Sequence, residues 1–259
     1  MDNPWIAAVS ALFLWWFSTG LILWRVRAAD NAGQDAHLWS CLLALPLLAG
    51  GVYGAALTAN DTSVGGAYLA FISALAIWGW IELAFLSGII TGPNTAVCPP
   101  TARLPERLVR AVGTIAWHEA ALLAMLVVLG FISTANPMAF LTFGLLFVAR
   151  VLAKLNLFLG VPRINIEFLP RPLNHLPSHF RRSRPSLFFP VSVLFLAALS
   201  NLLFGFAREA TTPETTVGFA LLTCLAALAL LEHLFMVLPL PDQKLWRWMM
   251  PAPKPMPKD

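Results

Sequence analysis

Apolar positions along this chain fall into long unbroken runs, not into the alternating or one-faced patterns of a soluble fold. Seven runs stand out, at roughly 4–24, 38–57, 66–90, 108–132, 137–159, 187–206 and 217–238. Each is about 20 residues long, enough for a helix to cross the hydrocarbon core of a bilayer. The breaks between them carry turn chemistry: Asn60-Asp61, Gly92-Pro93-Asn94, Pro99-Pro100, Asn136-Pro137 and Thr212-Pro213. Almost nothing separates the fourth run from the fifth, which predicts an antiparallel hairpin. No basic residue precedes the first run and its apolar core is too long for a signal peptide, so it reads as a retained transmembrane helix. No internal repeat is visible, which argues against a transporter built from inverted halves.

Composition agrees with the pattern. Of 259 residues 58% are hydrophobic and 12% charged, and the mean hydropathy is +0.73. A soluble domain carries about 25% charged residues. The expected fold is therefore all-α: a polytopic membrane protein of seven transmembrane helices, one domain over residues 1–240 followed by a Pro-rich tail over 241–259.

The cations orient it. Arg25 and Arg27 follow the first run, Arg103, Arg107 and Arg110 the third, and Arg163, Arg171, Arg181, Arg182 and Arg184 the fifth. Lys244, Arg247, Lys254 and Lys258 follow the seventh, and the opposite loops carry Arg208. Basic loops favour the cytoplasm, so the N-terminus is expected in the periplasm and the C-terminus in the cytoplasm. Seven spans keep that alternation, and six or eight destroy it. The net charge of +4 suits anionic lipid as the partner, and no separate basic domain suggests nucleic acid. Cys41, Cys98 and Cys224 are scattered without ligand spacing, which predicts buried thiols and no disulfide framework.

Candidate chemistry lies where ionisable groups enter the apolar runs, because such groups are costly in lipid and face the bundle interior. Glu82 lies in the third run, His118 and Glu119 in the fourth, Arg150, Lys154 and Asn156 in the fifth, and Glu232 and His233 in the seventh. All fall in the cytoplasmic half, at one depth, which points to a single internal site. Arg150 and Lys154 are four apart and share a helix face, placed to neutralise neighbouring carboxylates. Beyond Gly160-Val161-Pro162 a loop over 160–186 supplies Glu167, His175 and His179. Loops this long are often functional, and this one is expected to fold back over the site as a lid.

Three kinds of site fit these residues. Glu82, Glu119, Glu167 and Glu232, with His118, His175 and His233, are the ligand types of a di-iron carboxylate centre. The Glu-x-x-His spacing of such centres is missing, however, and the His-Glu pairs are adjacent, about 100 degrees apart on a helix. The same carboxylates could instead pair structurally with Arg150 and Lys154. A tetrapyrrole site would use a histidine on the central metal, with Trp78, Trp80 and Trp117 near Glu82 and His118. Trp5, Trp15, Trp16, Trp246 and Trp248 read as interface anchors.

The string Lys154-Leu155-Asn156, Gly160-Val161-Pro162, Glu167, Leu169-Pro170 and His175-Leu176, with Trp117-His118-Glu119 upstream and Leu231-Glu232-His233 in the last run, resembles the photosynthetic complex assembly protein 2 family (PuhE) of purple phototrophic bacteria. The resemblance covers essentially the whole chain. Two positions depart from the family pattern: Arg163 stands where asparagine is usual, and His179 where an aromatic is usual. The resemblance implies a multi-pass protein of the bacterial inner membrane, cytoplasmic or intracytoplasmic. It also implies an accessory role in assembling the reaction centre and core antenna through supply or handling of bacteriochlorophyll. The implied partners are reaction-centre or core-antenna subunits and bacteriochlorophyll or a precursor. The candidate cofactor contacts are then Trp117, His118, Asn156, His175 and His233. A membrane metalloenzyme with an iron site, acting on a tetrapyrrole or related lipophilic substrate, is the alternative. An accessory role without catalysis is the favoured expectation, and a transporter with a proton relay ranks third.

Overall fold

The computed structural model describes residues 2–33 and 35–239. The expected tail, with Lys244, Trp246, Arg247, Trp248, Lys254 and Lys258, lies outside the described residues. Within them the chain forms α1 (Pro4–Ala32), α2 (Asp35–Leu43), α3 (Leu45–Leu57), α4 (Val64–Leu86), α5 (Leu104–Ile132), α6 (Met138–Leu159), α7 (Phe188–Glu209) and α8 (Pro213–Phe235). Helices α2 and α3 together make one span, so among the described residues seven segments are long and apolar enough to cross a membrane. The fold is that of a multi-pass helical membrane protein.

Helix boundaries follow local chemistry. Pro46 supplies no N–H and divides the second span into α2 and α3. Helix α1 runs to Ala32, eight residues past the apolar run, because no Gly or Pro interrupts RVRAADNA. Arg25 and Arg27 are therefore helical and not part of a loop. Helix α4 stops at Leu86, short of the expected 90, where Ser87 caps it before Gly88. Helices α5 and α8 begin earlier than the apolar pattern does, each with a proline in the first turn, where its missing N–H is not needed.

Helices α4 and α8 occupy the middle of the bundle. Helix α4 packs against α1, α3, α5, α6 and α8, while α8 also packs against α1, α6 and α7. Phe71, Ala74, Ile77, Leu122, Leu129, Phe143, Leu221, Leu222 and Leu225 form the fully buried heart. At one end the α5–α6 turn is stitched to the α3–α4 turn. Asn136 donates from its backbone N–H to Ala59 and from its side chain to Asp61, each at 2.8 Å, and the Thr134 hydroxyl also reaches Ala59 at 2.8 Å. The other end carries the long loop after α6.

That loop contains three short 3₁₀ turns at Ile166–Phe168, Arg171–Leu173 and Leu176–His179. Val161 N–H donates to Arg181 at 3.2 Å, and Ser183 N–H donates to Val161 at 3.2 Å, closing the loop at its base. Arg171 N–H donates to Asp30 of α1 at 3.1 Å, and Asp30 also pairs with His37 of α2 at 3.0 Å. Ser178 accepts from Cys98 N–H at 2.9 Å, and Arg107 of α5 donates to the His179 carbonyl at 3.3 Å. Arg163 N–H donates to Met236 at 3.1 Å. The loop is thus fastened to α1, to the α4–α5 connection, to α5 and to the end of α8.

Candidate functional site

Helix α6 sets the site's axis. Arg150, Lys154 and Phe158 recur at intervals of four residues and line one face. Opposite them α5 presents Leu108, Ala111, Val112, Ile115 and Glu119, again at helical spacing, while α8 contributes Glu232, Phe235 and Met236. The loop closes the top with Arg163, Ile164, Asn165, Leu169, Leu176, His179 and Phe180. These walls enclose a cavity of about 420 Å³. Leu108, Val112 and Leu155 on its rim are exposed on the outer face of the bundle, so it opens sideways between α5 and α6. Four phenyl rings (Phe85, Phe158, Phe180 and Phe235) reach it from α4, α6, the loop and α8.

The polar floor is ionic. Arg150 donates to Glu82 at 2.8 Å, and Lys154 pairs with Glu119. Lys154 Nζ also lies 5.7 Å from the centre of the Phe85 ring. Glu232 is on the cavity wall within hydrogen-bonding reach of the Trp15 indole. Glu82 stands behind the wall, 3.7 Å from Nε2 of a fully buried His118 whose ring lies 4.3 Å from that of Phe85. Pairing each cation with a carboxylate lowers the cost of holding either charge at this depth.

Helix α5 is modified where it meets the site. Trp117 and His118 N–H groups donate to Thr91 of the α4–α5 connection, at 2.9 and 3.1 Å, and Asn94 N–H donates to Gly113 at 3.0 Å. The connecting segment is therefore inserted into the helix ladder. Only glycine at 92 permits this approach, because a Cβ there would lie 2.1 Å from the Gly113 carbonyl oxygen.

The residues expected at the site separate into groups. Glu119 and Glu232 are on the cavity wall, whereas their neighbours His118 and His233 face the packed interior, as the 100-degree step between adjacent helix positions requires. His233 Nδ1 donates to Ala229 at 2.8 Å. Asn156 is fully buried and joins α6 to α7, donating to Ser192 at 2.7 Å. Trp117 is 61% exposed on the outer face. Trp78 packs edge-on against Phe143, and the Trp80 indole donates to Cys41 at 3.1 Å. His175 is buried under the loop, away from the wall, and Glu167 is exposed on it. None of the five expected cofactor contacts lines the cavity. The expected metal donors do not converge either: among the described residues no three His, Cys, Asp or Glu side chains gather in a metal-binding group. The reason is visible in the pairs, since Arg150 and Lys154 take Glu82 and Glu119 while Glu167 lies outside. All three cysteines are free.

His179 is the histidine that does line the cavity. Pro177 stands between it and His175. A 3₁₀ turn accommodates that proline in its first positions and brings the two histidines together. His179 Nδ1 lies 3.3 Å from the His175 carbonyl oxygen, which can only accept, so Nδ1 carries the proton. Burial pushes both imidazoles below their usual pKa range; His179 also lowers that of His175, and Arg107 and Arg110 lower that of His179.

Residues 1–257 match the family described as "Protein of unknown function (DUF3623)". The chain belongs to the DUF3623 family. It is 54% identical over 254 residues, 97% of this chain and 93% of the relative, to the "Uncharacterized 30.4 kDa protein in puhA 5'region" of Rhodobacter capsulatus. No solved structure matches it.

Proposed function

We propose that this DUF3623 protein is an inner-membrane accessory factor for assembly of the photosynthetic reaction centre and core antenna. It would hold bacteriochlorophyll or a precursor on the way to those complexes. The observation that carries the reading is the cavity: apolar, walled by four phenyl rings, and open sideways between α5 and α6. Its size of about 420 Å³ falls in the range of small-molecule sites. A planar conjugated lipophile can stack on phenyl faces and enter from the bilayer, with a long tail left in lipid. The placement of the Rhodobacter capsulatus relative in the puhA 5' region and the resemblance to the PuhE family support the same reading. With the loop end facing the cytoplasm, the basic side chains there meet anionic head groups.

The chain's own groups supply binding and orientation. Phe180 and Phe235 offer ring surface to a flat ligand, while Phe85 and Phe158, covered by His118, Lys154 and Arg107, back the wall; the two ion pairs keep the floor from collapsing, and the loop excludes water from above. Glu232, on the cavity wall, can accept a hydrogen bond from a peripheral N–H or O–H group. The di-iron-like alternative loses its donors to Arg150 and Lys154.

The test is purification of the full chain from a phototrophic host, with absorbance and elemental mass spectrometry on the same sample. Co-purifying tetrapyrrole, together with reduced reaction-centre and core-antenna absorbance in a deletion strain, is the expected result. Near-stoichiometric iron without pigment would overturn it in favour of the metalloenzyme.

A further inference from the structure

We infer that Arg150 is the cavity's anion contact, its Nη1 binding a carboxylate at the edge of a lipophilic macrocycle. This rests on the tetrapyrrole reading of the cavity. It narrows that reading to a precursor that still carries an unesterified carboxyl group.

Charge on the cavity wall does not balance. Arg150, Lys154 and Arg163 line it, against Glu119 and Glu232. The third carboxylate, Glu82, stands behind the wall with its side chain 10% exposed, whereas the Arg150 side chain that it pairs with is 37% exposed. The positive member of that pair is the one turned to the cavity. A guanidinium stays charged where a lysine or a carboxylate can shed its charge by proton transfer. Set in an apolar cavity that opens to lipid, it calls for an acceptor.

The cations differ in what they have left to give. Lys154 and Glu119 share the wall and pair with each other. Arg163 belongs to the loop that closes the top and is tied through its backbone to Met236 at 3.1 Å. Arg150 spends Nη2 on Glu82 at 2.8 Å. Its Nε is buried without a partner, but Nη1 is neither buried nor hydrogen-bonded among the described residues. Nη1 carries two N–H groups. A carboxylate there makes a charge-assisted hydrogen bond, roughly twice as strong as one between neutral groups. The acidic side chains on the wall leave that place open. Glu119 is taken by Lys154, and Glu232 lies within hydrogen-bonding reach of the Trp15 indole. Among the described residues no ion pair joins Glu232 to Arg150. Phe235, three residues beyond Glu232 on α8, puts ring surface on the same cavity.

The experiment uses the full chain in detergent, titrated with protoporphyrin and with its dimethyl ester, whose carboxyl groups are blocked. The unsubstituted protein is expected to bind the acid about tenfold more tightly than the ester. Combining Arg150→Gln with Glu82→Gln removes the cation without stranding a buried charge. That double variant is expected to bind acid and ester equally, with ester affinity kept as the sign of an intact cavity. Arg150→Lys keeps a cation for Glu82 and removes Nη1, and it is expected to lose most of the preference. Glu82→Gln alone leaves Arg150 in place and is expected to retain it. Equal binding of acid and ester by the unsubstituted protein would overturn the assignment with the cavity reading intact. So would the full preference in either Arg150 variant. Displacement of protoporphyrin by an equal concentration of oleate would give the contact to a fatty acid of the bilayer and overturn the macrocycle precursor. Failure of both porphyrins to bind would sink the cavity reading itself, and this inference with it.

Discussion

Between its two ends the bundle changes how it is held together. Near the α5–α6 turn, α4, α5, α6 and α8 meet through Phe71, Leu129, Phe143 and Leu221, all 0% exposed, and Trp78 packs on Phe143 with ring centres 5.2 Å apart. Near the loop, the same four helices carry Glu82, Glu119, Arg150, Lys154 and Glu232 and stand around a cavity. Lipid supplies no hydrophobic drive for helices to associate, so the first end relies on close van der Waals contact. At the second end, each ion pair fixes two helices at the distance its geometry demands. A wall of leucines could repack to fill the space, whereas the Arg150–Glu82 and Lys154–Glu119 pairs hold it open. The packed half provides stability and the charged half provides room.

The sharpest way to break this comparison is to remove one charge. Arg150→Ala leaves Glu82 buried beside His118 without its cation, and the expected loss is about 3–5 kcal/mol of stability. Combining it with Glu82→Gln should recover most of that loss, because the cost lies in the unpaired charge more than in the missing contact. Thermal unfolding of the two single variants and the double variant in detergent measures the coupling. Additive losses would show that the pair does not hold these helices together.

Phe143→Ala tests the other half. It opens a void under Trp78 and should cost about 3 kcal/mol in the same assay. The cavity lies toward the opposite end of α6, so porphyrin affinity is expected to stay within about twofold, a difference far smaller than one hydrogen bond to a charged group confers. A large loss of affinity would mean that the two halves are not separable. At the loop base, Gly160 has φ +131, and a Cβ there would lie 2.2 Å from the Ser183 hydroxyl. Gly160→Ala should cost about 1–3 kcal/mol. Faster hydrogen exchange confined to 161–183 is the expected signature, and an unchanged loop would show that the base tolerates the strain.

Much of this comparison was legible in the sequence, and what was not has a physical cause. Runs of apolar residues report span length directly, so the seven spans could be read. The four-residue spacing of Arg150 and Lys154 reported a shared face, and the 100-degree step warned that only one member of His118-Glu119 and Glu232-His233 would face the site. The cavity residues themselves were hidden, because Phe85, Phe158, Phe180 and Phe235 look like any other apolar residue in a membrane sequence. Trp117 shows the converse: its place beside His118 in the sequence makes it a candidate, but the helix turns it outward. The place of His179 on the cavity wall was hidden as well, because it depends on the 3₁₀ turn that Pro177 opens, and a turn that short leaves no periodic pattern. The insertion of Thr91–Asn94 into α5 left a faint mark, the glycines at 92 and 113, which is meaningful only once the two segments are known to touch.

The smallest expected effect is a pH response of the loop, and it distinguishes the loop from the bundle beneath it. Burial lowers the pKa of His175 and His179 in the folded loop, while in an undocked loop both return to about 6.5. Above that value both histidines are neutral in either state, and docking is at full strength. As pH falls below it, the undocked loop takes up protons that the docked loop resists, so docking weakens progressively until the folded-state values are passed. Arg107 and Arg110 beside His179 push in the same direction, and the His175 carbonyl that accepts from His179 opposes them. Hydrogen exchange over 161–182, corrected for the intrinsic rate, should therefore rise between pH 7.5 and pH 5.5 while α4 and α8 stay protected, pH values chosen to bracket the unperturbed imidazole at about 6.5. His179→Phe should flatten part of that rise. A loop as protected at the acid end as at the alkaline end would show that these two histidines do not govern its closure, and the charged half of the protein would then owe its cover to the contacts with Asp30, Cys98, Arg107 and Met236 and to the Val161–Arg182 bridge.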